Sequence, residues 1–320
     1  RKGREAEPQR YAKSAYFMHI PEPFTLNAEV AAALAARRPV VALESTVIAH
    51  GLPRPQNLET ARRLEEIVRA EGATPATVAL ISGRVHVGLD AAQLEHIAAS
   101  RDVHKISTRD LPVAVARRWD GATTVAATCW IAARAGLEVF ATGGIGGVHR
   151  GPVPDISADL PELARTDIVV VCAGAKSVLD LTATREWLET HGLTVVGYGC
   201  DELPAFYTRR SGLPVDVRVE TAAEVAALVR ARRALGVAGA LLVTVPVPAE
   251  SEVPAELIDA ALDEALAEAA RANIGGRDLT PFLLARMAER TGGATLRANL
   301  ALLEQNARLA AQIAKAVSCP

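Results

Sequence analysis

Lys176 stands just past the apolar run Asp167-Ile-Val-Val-Val-Cys-Ala-Gly-Ala-Lys-Ser177, where an ammonium is costly unless something uses it. A desolvated lysine, or one beside another cation, gives up its proton and becomes a nucleophile toward carbonyl carbon. At the ordinary lysine pKa of about 10.4, only about 0.04% of the amine is free at pH 7. Bringing that value to about 7.5 takes about 4 kcal/mol of destabilisation of the charged form, within reach of burial plus a second cation. Lys105 is the candidate second cation. Glu44 closes another apolar run, Val40-Val-Ala-Leu-Glu-Ser-Thr46, where a carboxyl tends to keep its proton and can serve as a general acid.

Between these groups lies the turn Thr142-Gly-Gly-Ile-Gly-Gly-Val-His-Arg-Gly151, with enough glycine to bring backbone N–H groups against an anion. It is no dinucleotide fingerprint: G-x-G-x-x-G started at Gly144 puts His149 in the last glycine position. Nor is Gly174-Ala-Lys-Ser177 the tail of a P-loop, because Val170 and Ala175 stand where that motif needs glycine. NAD and ATP are therefore not the expected ligands. Asp155 and Asp159, four positions apart, share a face if their segment is helical. Two carboxylates and water suit a hard cation, Mn²⁺ or Mg²⁺, better than zinc. Each feature also has a plainer explanation. Lys176 can be a snorkelling surface lysine, and the turn a tight loop without a ligand. Asp159 can be an N-cap with Glu162 closing a capping box, and Glu44 a structural carboxyl bonded to backbone.

The frame that must position these groups alternates short β-branched runs with Ala-rich helical stretches. Strands are expected at 40–46, 77–89 (a hairpin around Ser82-Gly83), 103–108, 138–142, 168–173, 193–199, 215–219 and 240–245. Helices are expected at 26–37, 57–71, 91–99, 122–135, 178–191 and 222–233, then at 255–272, 281–291 and 295–317. The pattern predicts an α/β fold: a mixed, mainly parallel central sheet with helices on both faces. Ligands in such sheets collect beyond the carboxyl ends of the strands. Glu44, Lys105, Thr142 and Lys176 all follow or end predicted strands. The interspersed charges of the two long C-terminal helices mark them as solvated or subunit-contact faces.

Half of the 320 residues are hydrophobic, enough for a large core, and the formal net charge is −2. That balance gives no electrostatic case for nucleic acid or an anionic membrane. Aromatics at 4% leave little for stacking bases. The four cysteines, Cys129, Cys172, Cys200 and Cys319, form no C-x-x-C pair and read as reduced thiols, which points to a cytoplasmic location. No window approaches the roughly 18 apolar residues of a membrane span. Residues 1–20 are polar, without the apolar core of a signal peptide, and are expected to be a disordered tail. Residues 21–320 then form a single α/β domain.

Longer stretches carry a resemblance. Val41-Ala-Leu-Glu-Ser-Thr46, Lys105-Ile-Ser-Thr-Arg-Asp-Leu-Pro112, Gly121-Ala-Thr-Thr-Val125, the 142–151 turn, Asp155-Ile-Ser-Ala-Asp-Leu160 and Val171-Cys-Ala-Gly-Ala-Lys-Ser177 resemble the pseudouridine-5′-phosphate glycosidase family. The similarity continues through Leu203-Pro-Ala-Phe206, Thr280-Pro-Phe-Leu-Leu-Ala285 and Thr291-Gly-Gly293 to Asn299, in order along nearly the whole chain. One departure is the short connector Pro152-Val-Pro154 before Asp155.

The resemblance implies reversible cleavage of the C–C glycosidic bond of pseudouridine 5′-phosphate, with water, to uracil and ribose 5-phosphate. It implies a ring-opened ribose imine on Lys176, Glu44 as proton donor and one Mn²⁺ (or Mg²⁺) at Asp155. Lys105, Val125, Thr142, His149, Ser157, Ala158, Asp159 and Asn299 fall on substrate-contacting positions, and a homotrimer is implied. The residues alone also admit a class I, Schiff-base aldolase-like lyase or a non-catalytic phosphosugar-binding protein. The first is disfavoured by the matches outside Lys176, the second by the joint presence of an amine and an acid.

Overall fold

A computed structural model describes residues 23–151, 155–276 and 279–319. The expected tail, 1–20, and the connector at 152–154 lie outside the described residues.

Among the described residues the core is an 11-stranded sheet. Across it run Phe24–Leu26, Arg84–Val87, Thr74–Ile81, Val40–Leu43, Val139–Ala141, Val169–Cys172, Leu241–Thr244, Thr194–Tyr198 and Val217–Val219. From Thr74–Ile81 to the Val217–Val219 edge every neighbouring pair is parallel. Val40–Leu43, Val169–Cys172 and Leu241–Thr244 are buried at every position, as strands covered on both faces must be. The predicted hairpin is present, with Thr74–Ile81 antiparallel to Arg84–Val87 and Ser82 at positive φ in its turn.

Helices Gln56–Ala70, Ala222–Leu235 and Ala294–Ser318 pack together on one face, and Val125–Arg134 with Asp159–Leu163 lies on the other. Local chemistry sets several boundaries. Asp90 and Gln93 form a capping box that starts Ala91–Ala99, while Thr221 and Glu224 do the same for Ala222–Leu235. Gly236, at φ 68°, closes the latter helix in the left-handed conformation that favours glycine.

Three expectations change. The last helix is no solvated face: Ala298, Leu302, Ala310, Ala311 and Ile313 are fully buried, and the helix packs across three central strands. Its charges occupy the narrow outer stripe, and its alanines allow close approach to the sheet. The segment 103–108 also does not join the parallel array. His104–Ile106 pairs with Gly121–Thr123, which runs antiparallel to the far half of Thr74–Ile81. Residues 122 and 123, expected to open the helix 122–135, instead belong to the strand Gly121–Thr123, and the helix begins at Val125.

Candidate active site

The strand order turns back on itself at Val40–Leu43. The chain first adds Thr74–Ile81 on one side and later returns with Val139–Ala141 on the other. A crevice opens beyond the carboxyl ends of strands at such a reversal. Glu44 follows one of the two strands and Thr142 the other, so the pair straddles the seam. A cavity of about 360 Å³ lies there. Its walls carry Glu44, Lys105, Val125, His149, Asp155, Ser157, Ala158, Asp159, Lys176 and Asn299. Of the candidate residues only Thr142 stands behind the wall, 1% exposed, with its hydroxyl donating to the Glu44 carboxylate.

Glu44 is 7% exposed. Burial pushes its pKa above the ordinary carboxyl range, against the opposing pull of Lys176, the Thr142 hydroxyl and Lys105, while Asp159 raises it further. Its neighbour Ser45 anchors the segment: the Ser45 hydroxyl donates to Val78 O at 2.6 Å and accepts from Thr123 N at 2.8 Å. Thr123 donates to the same carbonyl at 2.8 Å. This buried knot ties the Glu44 strand end to the strand that leads into Thr124 and Val125. Lys105 reaches the cleft by a route the parallel-sheet rule does not foresee. Thr74–Ile81 extends past Leu43, and the antiparallel strand on that extension brings Lys105 and Thr123–Val125 back toward the seam.

Lys176 is half-buried, beyond Val169–Cys172. Its N–H donates to Ile145 O at 3.1 Å, which fixes it beside the glycine turn. Gly174, at φ +86°, makes the bend: a Cβ there would sit 2.1 Å from Pro204 O, so no other residue fits. His149 faces Lys176, Lys105 and Asp155, and burial lowers its pKa, with the two lysines adding to that and Asp155 opposing.

Gly143, Gly144 and Gly146 of the glycine turn line the cleft, and part of the turn's backbone is engaged within the protein. The N–H groups of Thr142, Ile145, Gly146, Val148 and His149 all donate to acceptors within the protein. The glycines also allow close packing. At Gly146 a Cβ would meet Ser157 Oγ at 2.2 Å and Asp159 Oδ2 at 2.7 Å. The protein's own anion occupies this place: Asp159 accepts from Gly146 N at 2.8 Å and from Ala126 N, in the first turn of Val125–Arg134, at 2.9 Å.

Asp159 does not cap its own helix, as the capping-box reading held; Ala158 takes that position, and Glu162 bonds Thr166, Thr108 and Arg165. Asp155 and Asp159 do not share a helical face either. The helix starts only at Asp159, because Ile156 is drawn into an extended bridge with Val148. Asp155 is exposed at the rim of the cleft. Among the described residues no three His, Cys, Asp or Glu side chains converge as a metal cage. A cation here would need water and substrate oxygens beside Asp155, which suits Mn²⁺ or Mg²⁺.

The sequence reading missed several wall residues: Thr46, His50, Ser107, Arg109, Thr124, Phe206 and Thr280. Ser107 and Arg109 alternate with Lys105, a spacing that could have flagged them. Phe206 ends the segment Leu203-Pro-Ala-Phe206 that carries the resemblance, and it reaches the cleft through the close approach of its loop to Gly144.

Comparison with known proteins fits this geometry. The family model for indigoidine synthase A like proteins matches residues 29–316. A pseudouridine-5′-phosphate glycosidase of Deinococcus radiodurans is 55% identical over 291 residues, 90% of this chain and 93% of the relative. The chain belongs to this family. A second glycosidase of the same name, from a Nocardioides species, is 53% identical over 301 residues and covers 93% of this chain and 98% of its own. Among solved structures, the prealnumycin C-glycosynthase AlnA in complex with ribulose 5-phosphate superposes with a TM-score of 0.85 at 40% identity, covering 93% of this chain and 98% of its own. An indigoidine synthase A-like protein from Thermotoga maritima gives 0.86 at 38% identity, covering 94% and 99%. Among the described residues no helix is long and apolar enough to cross a membrane. All four cysteines are free, with Cys129 and Cys172 buried and the Cys172 thiol pushed up by burial to about 12.

Proposed function

We propose that this chain cleaves pseudouridine 5′-phosphate with water to uracil and ribose 5-phosphate, reversibly. The observation that carries the proposal is the placement of a half-buried amine, Lys176, and a carboxyl biased toward its neutral form, Glu44, on the walls of one cleft. The glycosidase names of relatives more than 50% identical support it. So does the likeness in shape to a C-glycosynthase seen with a phosphosugar.

The C1′–C5 linkage has no heteroatom to protonate, so its cleavage needs an electron sink on the sugar and a proton at C5. The free Lys176 amine bonds to C1′ as O4′ leaves, and the proton that the nitrogen sheds goes to O4′, opening the ribose. The C1′–C5 pair then passes to C5 of the base, which receives the Glu44 proton, while the lysine nitrogen's lone pair forms the C=N bond. Water adds to that iminium carbon, the proton it gives up returns to the Glu44 carboxylate, and the free amine departs, releasing ribose 5-phosphate. Lys105 and Arg109 give the cleft the cationic wall that a phosphate needs, and its binding energy orients C1′ toward Lys176. Asp155 is the residue proposed to hold a Mn²⁺ ion, which when bound supplies positive charge to polarise an oxygen ligand.

Incubation with pseudouridine 5′-phosphate, with and without Mn²⁺, should release uracil. Borohydride with ribose 5-phosphate should leave a covalent adduct on Lys176, and Lys176→Ala should abolish both. Uracil release by Lys176→Ala at the wild-type rate would overturn the imine. The proposal keeps a single catalytic domain over 21–320, assembled as a homotrimer in the cytoplasm; light scattering of the purified protein reads the trimer.

A further inference from the structure

We infer that Asn306 is a positioning residue for the proton donor, acting through Thr142. The inference rests on the proposed role of Glu44 and deepens it.

Asn306 lies in the middle of Ala294–Ser318 and is completely buried. Its Nδ2 donates to Thr142 O at 2.8 Å and to Gly143 O at 3.3 Å. Its Oδ1 is buried without a hydrogen-bond partner. An amide half-satisfied in a core is unfavourable relative to an apolar side chain of similar size, so packing alone does not explain it. What the amide does is complete the restraint on one residue. The peptide before Thr142 is held by Thr142 N donating to Val171 O at 3.0 Å, and the peptide after it by Asn306. Gly143 O accepts in addition from Ala173 N at 2.9 Å. With both flanking peptides fixed, the Cα–Cβ direction of Thr142 is fixed, and its hydroxyl meets the Glu44 carboxylate.

The helix packs directly against the turn at Gly143. A Cβ there would lie 3.3 Å from Leu303, 3.4 Å from Leu302 and 3.5 Å from Asn299 Oδ1. Asn299, Leu302, Leu303 and Asn306 follow helical spacing on the face docked against the turn, so the helix that presents Asn299 to the cleft also sets the proton donor behind it. The charged groups that act on Glu44 are Lys176, Asp159 and Lys105, with His50 on the same cavity wall. None of them belongs to the C-terminal helix, so a change at 306 reaches Glu44 through Thr142.

The test compares Asn306→Leu, Thr142→Val and the double variant by two readouts. One is the pH dependence of uracil release, and the other the titration of a ¹³C-labelled Glu44 carboxyl without substrate. The Thr142 hydroxyl bond favours the ionised carboxylate, so its loss moves Glu44, and with it the alkaline limb of kcat, to higher pH. Asn306→Leu should produce that shift, lower kcat by about tenfold to a hundredfold and change KM little. The double variant should shift no further than Thr142→Val alone. A folded Asn306→Leu whose Glu44 titrates as in wild type, or a double variant whose shifts add, overturns the inference. If Asn306→Leu does not fold, Asn306→Ser, too short to hold both carbonyls, gives the same comparison with the same two outcomes. An active Glu44→Gln would instead remove the acid role itself, and the carboxyl titration keeps the two failures apart.

Discussion

The Thr142 hydroxyl donates to the Glu44 carboxylate across the seam between the two strands that these residues follow. The bond joins positions 98 apart in sequence at the point where the sheet reverses its order. A hydroxyl donor favours a carboxylate, whereas burial favours the acid, and here burial is the larger influence. Glu44 is thus held in geometry by one group and in protonation by its surroundings.

Replacing the acid without changing its shape should separate protonation from imine formation. Glu44→Gln is expected to lower uracil release by about 10²- to 10⁴-fold, the usual contribution of a general acid. Borohydride trapping of ribose 5-phosphate on Lys176 should persist, because that step needs no proton at C5. Loss of trapping together with turnover would show that Glu44 shapes the cleft rather than protonating the base.

The same burial makes a statement about stability. The folded-state pKa of Glu44 lies above its ordinary 4.5, so the native protein keeps this proton to a higher pH than the unfolded chain does. The resulting stabilisation is complete below 4.5 and is lost as pH rises through the raised value. Glu44→Gln has no proton to lose there. Urea midpoints of the wild type, measured against Glu44→Gln, should therefore fall as pH climbs above about 4.5. Parallel midpoints across that window would contradict the shift.

Much of this frame is written locally. The predicted helix at 91–99 matches Ala91–Ala99 because Asp90 and Gln93 cap it within its own first turn. The strands flanking the seam show because they are apolar throughout. What escaped depends on partners distant in sequence. Leu111–Arg117 is not among the expected helices: it is short, and Pro112 sits in its first turn, where proline is tolerated. Asn306 is one polar residue in an alanine-rich helix, and nothing near it in the sequence points to its partner, which stands 164 positions earlier. Asp159 was read through its neighbour Glu162, while its carboxylate in fact serves Gly146 and Ala126. The candidate cleft residues were legible as types at strand ends; the bonds that hold them were not.

Asp159→Asn should cost about 1–3 kcal/mol of stability, because an amide offers one acceptor oxygen where two backbone N–H groups need one each, and turns its NH₂ toward the other. Chemical denaturation reads the loss. An unchanged midpoint would mean that the turn and the Val125–Arg134 N-terminus do not depend on this carboxylate.

Asp155 is exposed and stands outside the backbone bonds that hold Asp159, so its substitution should leave the fold intact. Asp155→Asn is expected to keep the wild-type melting temperature and weaken Mn²⁺ binding by tenfold or so, as loss of a ligating carboxylate does. Electron paramagnetic resonance of free Mn²⁺ measures the binding without reference to turnover. Equal Mn²⁺ affinity in the two proteins would remove Asp155 from the metal site.

Gly146→Ala tests whether the glycine turn exists for packing. Its new methyl would lie 2.2 Å from Ser157 Oγ and 2.6 Å from Ser157 Cβ, so Ser157 or the turn must move. Overpacking of this kind costs about 1–3 kcal/mol. The displacement falls on Ser157 and Asp159, which line the cleft, so uracil release should drop together with stability. Gly275→Ala, where nothing lies within 4 Å of the added carbon, is the control expected to melt like the wild type. A Gly146→Ala protein as stable and active as that control would mean that the turn's glycines answer to something other than the close approach of Ser157 and Asp159.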